Sequence, residues 1–136
     1  MMARTSTKLT AADPVMRLVH RAPVFVHLDT TLRACARVMN EESIGAVLVR
    51  GYHDPAGILS ERDIVAAAAN GAGLDGNLAR DFMTADVDAV DEMTPIAEAV
   101  KEMVRNEIRH LAVSRGERTV GLISMRDLLA VLAGDD

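Results

Sequence analysis

Aromatic side chains are nearly missing from the 136-residue chain: there is no Trp, and Phe25, Phe82 and Tyr52 are its only Phe and Tyr residues. A base-stacking platform for single-stranded nucleic acid needs successive aromatic faces, so that class is excluded. Positive charge is also short. Lys and Arg number 15 against 20 Asp and Glu, for a net charge of −5 and a pI of about 5.3, which argues against a grip on nucleic acid through phosphates. A single cysteine, Cys35, excludes an internal disulfide framework and a cysteine-rich zinc site, and fits a reducing compartment. Long apolar runs are absent too. Stretches such as Ile64 to Ala69 fall far below the ~18 residues of a membrane span. The N-terminal MMARTSTKLTAAD lacks the apolar core of a secretory signal and reads as a short frayed tail. A cytoplasmic protein, with neither nucleic acid nor membrane as partner, is the expectation. His20, His27, His53 and His110 do not fall at metal-ligand spacing. No Ser–His–Asp or Cys–His arrangement has motif support, and GAG at 71–73 terminates a helix and has no Lys to make it a phosphate loop. No metal, no catalytic residue and no enzyme activity are expected.

What the chain does have is 49% hydrophobic and 26% charged residues, enough for one compact domain or two half-size units sharing a core. Such a chain hides roughly two-thirds of its unfolded surface without a metal or disulfide staple. Its strongest feature is an internal repeat. When residues 26–68 are laid on 90–132 without a gap, ten of the 43 positions are identical, where ordinary composition gives about three. Leu32, Cys35, Ala36 and Met39 align with Ile96, Ala99, Val100 and Met103, each set at the i, i+3, i+4, i+7 spacing of one helical face. That spacing makes Cys35 a core residue. Ile64, Val65 and Ala68 align with Leu128, Leu129 and Leu132 as a second helical face. Between them, AVLVR (46–50) and HLAVS (110–114) lead through polar turns, GYHDP and RGERT, to AGILS (56–60) and VGLIS (120–124), which predicts two hairpins. Short strands at Val24–Val26 and Val87–Val90 precede the first helices, for which Thr30 and Thr94 are the expected N-caps with Pro95 in the first turn. The glycines of NGAGLDGNLAR (70–80) end the first repeat's second helix, and LARDFM (78–83) is expected to form one helical turn. Each repeat therefore reads strand–helix–strand–strand–helix, an α+β architecture with short mixed sheets.

Each repeat closes its last strand on a near-identical heptapeptide, GILSERD (57–63) and GLISMRD (121–127). At a strand-to-helix junction, a serine hydroxyl and the first free amides of the helix donate to an anion, and the helix dipole favours negative charge. An aspartate one turn on suits the 2′ and 3′ hydroxyls of a ribose, and the glycine permits close approach of a backbone or ligand. The same Ser-x-x-Asp is also a capping box, with Ser60 and Ser124 capping and Asp63 and Asp127 answering. The two roles are compatible, and the residues alone leave both open.

The doubled repeat, with Gly-h-h-Ser-x-x-Asp (h, aliphatic) closing each unit, resembles a pair of CBS domains, the family named after cystathionine β-synthase. The resemblance runs from about Ala11 to Ala133, as repeat 11–71, linker 72–83 and repeat 84–133. It implies two CBS repeats packed as a pseudo-two-fold pair, a Bateman module. The family's role is regulatory: adenosine-containing ligands bind in clefts between the repeats, and no cofactor is required. AMP, ADP or ATP are the expected ligands, with S-adenosylmethionine or NAD(H) as further members. Carried over residue by residue, one cleft uses Ser124, Arg126, Asp127, Arg109 and His110, with Val19, His20, Pro23 and Val24 opposite. The other uses Ser60, Arg62, Asp63, Gly45 and Ala46, with Thr84, Asp86, Val87 and Asp88 opposite. Arg109 and His110 offer cationic donors to a phosphate, whereas Asp86 and Asp88 add negative charge, so the Asp127 cleft is expected to hold a phosphorylated ligand. The family's dimers, and apolar faces too wide for one pair of small sheets to cover, point to a two-fold homodimer acting on a protein target that the sequence does not name. The alternative is an interaction or dimerisation module with no physiological nucleotide.

Overall fold

The computed structural model describes residues 8–134; of the frayed tail expected at 1–13, residues 1–7 lie outside the described residues, and 8–13 are not frayed, since Leu9 packs on the core and the Ala11 and Asp13 carbonyls accept from the Ala97 and Ile96 N–H groups, both at 2.9 Å. The chain forms two compact units, one of residues 23–87 and one that joins the residues up to Ala22 to those from Asp88 onward.

In the unit of residues 23–87, β1 (Phe25–His27) runs parallel to β2 (Ala46–Arg50), which pairs antiparallel with β3 (Gly57–Ser60). Helices α1 (Leu32–Glu42), α2 (Glu61–Ala69) and the short α3 (Ala79–Phe82) complete it. The apolar stripe of α1 does what its spacing dictates: Leu32, Cys35 and Met39 are buried in a core with Val47, Val49, Leu59 and Ile64. Each fully buried large side chain contributes about 1.5–3 kcal/mol of transfer free energy. Burial pushes the Cys35 thiol up to about 11, so Cys35 is a packing residue, as predicted, and not a ready nucleophile.

The other unit repeats the design. Strand β4 (Ala89–Asp91) is parallel to β5 (His110–Arg115), which is antiparallel to β6 (Arg118–Ser124), with α4 (Ile96–Asn106) and α5 (Met125–Leu132). Ile96, Ala99 and Met103 of α4 are buried with Leu111, Val113, Ile123 and Leu128. The registers match across the repeat: Ala46 faces Ser60 in one hairpin and His110 faces Ser124 in the other. The fold class is thus α+β with two mixed three-stranded sheets.

The sequence periodicity does not show which sheet each leading segment joins. A 3-10 turn at Val15–Leu18 belongs to the second sheet's unit, where Val15 is fully buried. There the Val15 N–H donates to Thr94 O at 2.8 Å and the Ile96 N–H to Asp13 O at 2.9 Å. In the first sheet's unit the same bonds recur 64 residues out of register, from Ala79 N–H to Thr30 O at 2.8 Å and from Leu32 N–H to Asn77 O at 2.9 Å. Each leading segment therefore completes the unit of the other repeat. Residues 72–83, expected as a linker, carry the anticipated helical turn as α3, and Ala79 is wholly buried in the first unit's core.

Some boundaries shift. The first strands lie one to two residues later than expected, at Phe25–His27 and Ala89–Asp91. The cap of α1 is Thr31, whose side chain accepts from Ala34 N–H, while Thr30 Oγ1 accepts from His27 N–H at 2.9 Å and closes the strand-to-helix turn. The expected cap, Thr30, therefore falls one residue early, because the adjacent threonine offers the same hydroxyl and takes the role. In the second repeat the cap position belongs to Pro95, not Thr94, and has no side-chain cap bond.

Candidate functional site

Both heptapeptides lie at a strand-to-helix junction. Ser60 Oγ accepts from Asp63 N–H at 3.2 Å, and Asp63 Oδ2 accepts from Ser60 N–H at 2.8 Å and from its hydroxyl at 2.9 Å. At the second junction, Ser124 Oγ accepts from Asp127 N–H at 3.2 Å and Asp127 Oδ2 from Ser124 N–H at 2.9 Å. The capping box is therefore realised twice. It engages one carboxylate oxygen of each aspartate; among the described residues, Oδ1 of neither is hydrogen-bonded. A carboxylate has roughly four acceptor positions, so each can still take ribose hydroxyls.

The start of the second strand is fastened beside each junction. The Glu61 N–H donates to Gly45 O at 2.9 Å, and the Met125 N–H to Arg109 O at 2.8 Å. Ser124, Arg126, Asp127, Arg109 and His110 are thereby brought together in one unit, and Ser60, Arg62, Asp63, Gly45 and Ala46 in the other. Arg109, Arg126 and Asp127 are exposed, and His110 is half-buried.

The glycine of each motif has a definite job. A Cβ on Gly57 would stand 2.5 Å from Met83 Sδ and 2.9 Å from Thr84 O; on Gly121 it would stand 2.6 Å from Val19 Cγ2. The leading segment is what approaches closely. Thr84 is held at β3 by paired backbone bonds with Ile58, both 2.9 Å. Val19 lies over β6, with the exposed His20 next in the chain. The remaining expected residues divide differently. Pro23 and Val24 belong to the first sheet's unit, where Val24 O accepts from Leu48 N–H at 2.9 Å. Asp86 and Val87 stay with that unit, whereas Asp88 belongs to the second sheet's unit, its O accepting from Ala112 N–H at 3.0 Å.

One residue escaped the sequence reading. The Glu61 carboxylate overhangs Gly45, its Oε1 3.4 Å from where a Cβ there would stand. Its signal was the variable position of the motif, Glu in SERD and Met in SMRD. Beside Asp63 the first unit also opens a groove of about 440 Å³, lined by Ala66, Ala67, Asn70, Gly71, Ala72 and Phe82. Among the described residues, no group of three or more His, Cys, Asp or Glu is placed to hold a metal ion, and no helix is long and apolar enough to cross a membrane.

Comparison with known proteins agrees with the fold. The CBS domain pattern matches residues 15–70 and 79–134. An uncharacterized 17.7 kDa protein of Acidianus ambivalens is 34% identical over 123 residues, covering 89% of this chain and 74% of that protein. A CBS domain protein of Pyrobaculum aerophilum, solved in complex with AMP, superposes with a TM-score of 0.78 at 28% identity, covering 89% of this chain and 96% of that one. A CBS-domain containing protein of Agrobacterium tumefaciens matches with the same TM-score and identity, over 88% and 98% of the two chains.

Proposed function

We propose, because the chain belongs to the CBS domain family, that it is a regulatory ligand-sensing module that binds an adenine nucleotide of the AMP, ADP or ATP kind and catalyses no reaction. CBS-pair proteins are regulatory, and the Pyrobaculum relative carries AMP. The observation that carries the reading for this chain is the second junction: Ser124 and Asp127 at the start of α5, with Arg109 and His110 fastened across from them. Ribose hydroxyls bind Asp127, and the phosphate meets the helix N-terminus, Arg109 and His110. Arg126 and His20 flank this site. Ligand binding then biases the module between conformations that a partner protein distinguishes. S-adenosylmethionine and NAD(H) share the adenosine moiety and belong in the same test.

A second reading, an interaction module without a nucleotide, is favoured by a different observation. Val65 of α2 and Leu129 of α5 occupy matched positions and are 66% and 52% exposed, and Leu132 is 50% exposed. The same side chains support the proposal of a homodimer, and the free, buried Cys35 supports a cytoplasmic location for it. A thermal-shift panel of nucleotides separates the two readings. A ligand at 100 times its Kd stabilises by about 2.7 kcal/mol; a flat response to every nucleotide favours the interaction module. Sedimentation tests the dimer, and a stable monomer at micromolar concentration contradicts it. Nucleotide hydrolysis that co-purifies with the protein and disappears on Ser124→Ala overturns the non-catalytic reading.

A further inference from the structure

We infer that Glu61 makes the first repeat's site one for a nucleoside without a phosphate, so that the two repeats sort adenosine ligands by charge. This rests on the nucleotide-binding reading above and adds what the first junction takes. Position 45 corresponds to position 109, and 61 to 125. Where Arg109 roots its side chain beside the second junction, the first junction has a glycine, and the Glu61 carboxylate stands 3.4 Å from the vacant Cβ position. The backbone bond between the paired residues is the same in both, at 2.9 and 2.8 Å, so the substitution changes charge and leaves the frame intact.

The consequence is electrostatic. A phosphate at the first junction would be attracted by the helix N-terminus but repelled by the Glu61 carboxylate over Gly45, a residue that brings no guanidinium of its own. A ribose is unaffected, because Asp63 keeps its Oδ1 and Ser60 keeps the same cap as Ser124. The groove of about 440 Å³ beside Asp63, with Phe82 in its wall, falls within the usual range of small-ligand sites and provides room for the base. Glu61 is thus a specificity-determining residue: it accepts a neutral 5′ end and rejects an anionic one.

The test is amide chemical-shift titration of the full chain with adenosine and, separately, with AMP, reading Ser60 and Asp63 against Ser124 and Asp127. In the wild-type protein, adenosine moves the Ser60 and Asp63 amides at concentrations where AMP leaves them in place, while AMP moves those of Ser124 and Asp127. Glu61→Gln removes the charge at an exposed position and raises AMP affinity at Ser60 and Asp63 about tenfold or more, with adenosine unchanged. If AMP and adenosine bind the first junction equally in the wild type, or if Glu61→Gln leaves their ratio unaltered, charge sorting is overturned and the nucleotide reading stands. If neither ligand moves either set, both are overturned.

Discussion

At the end of β3, residues 45 and 61 are Gly and Glu; at the end of β6, their counterparts 109 and 125 are Arg and Met. Yet the backbones join alike, serine caps aspartate alike, and each motif glycine is pressed by a leading segment. The shared residues are those the fold needs at that point. The side chains that differ have no part in the cap and, in the proposed sorting, set which charge a bound ligand carries. The comparison thus separates a scaffold, built twice, from the side chains to which the proposed selectivity is assigned.

The largest effects test whether the two scaffolds are equivalent. Leu32 and Ile96 occupy matched, fully buried positions. Either changed to Ala costs about 2–5 kcal/mol, seen as a lower urea midpoint; near-neutral behaviour of one would show that its core is not packed like the other's. Next come the aspartates. Asp127→Ala abolishes tight AMP binding in calorimetry, a loss of about two decades or more for a ligand held by charge-assisted bonds, while Asp63→Ala leaves most of it. Both variants lose the same capping contact, roughly 1 kcal/mol or less of stability, so matched melting curves control for damage to the fold. The reverse pattern would move the phosphate site to the first repeat.

The motif glycines sharpen the comparison further. Ala at Gly57 drives a methyl into Met83 Sδ and the Thr84 carbonyl, and Ala at Gly121 meets the two γ-methyls of Val19. Each costs about 1–3 kcal/mol in denaturant melts. Gly57→Ala is the worse of the two, because a backbone oxygen yields less than a side chain. Equal or negligible losses would mean the leading segments are not seated as described. The smallest effect is at the ends of α1 and α4, where Ser43 and Glu107 are left-handed at φ 56° and 53°. Glycine avoids the Cβ conflict there, so Ser43→Gly and Glu107→Gly are each expected to be neutral or to stabilise by up to about 1 kcal/mol, measured as a shift in melting temperature.

Much of this was legible in the sequence, for physical reasons. The helical faces of Leu32–Met39 and Ile96–Met103 and the paired hairpins declare their periodicity, and the doubled Ser-x-x-Asp places both junctions. The exchange of leading segments was not legible in the periodicity; only the resemblance pointed to it, by setting Val19 and His20 opposite the Asp127 junction and Thr84 opposite the Asp63 junction. Val15 and Ala79 are apolar residues 64 positions apart, and nothing in their spacing says that each completes the other repeat's unit. The units divide after Ala22 and after Val87, so Pro23, Val24 and Asp88, grouped by resemblance with one cleft or the other, belong to a different unit from that cleft's junction. Glu61 was missed because a variable position carries no periodic signal; only the overhang above Gly45 gives it a role.

The most direct test of the central claim, that charge at the second junction selects a phosphorylated ligand, is calorimetry of AMP and adenosine against the wild-type chain and Arg109→Ala. Arg109 is predicted to contribute to AMP alone, so the variant loses about one to two decades of AMP affinity and keeps its affinity for adenosine. An equal loss for both ligands, or no loss for AMP, would contradict the account.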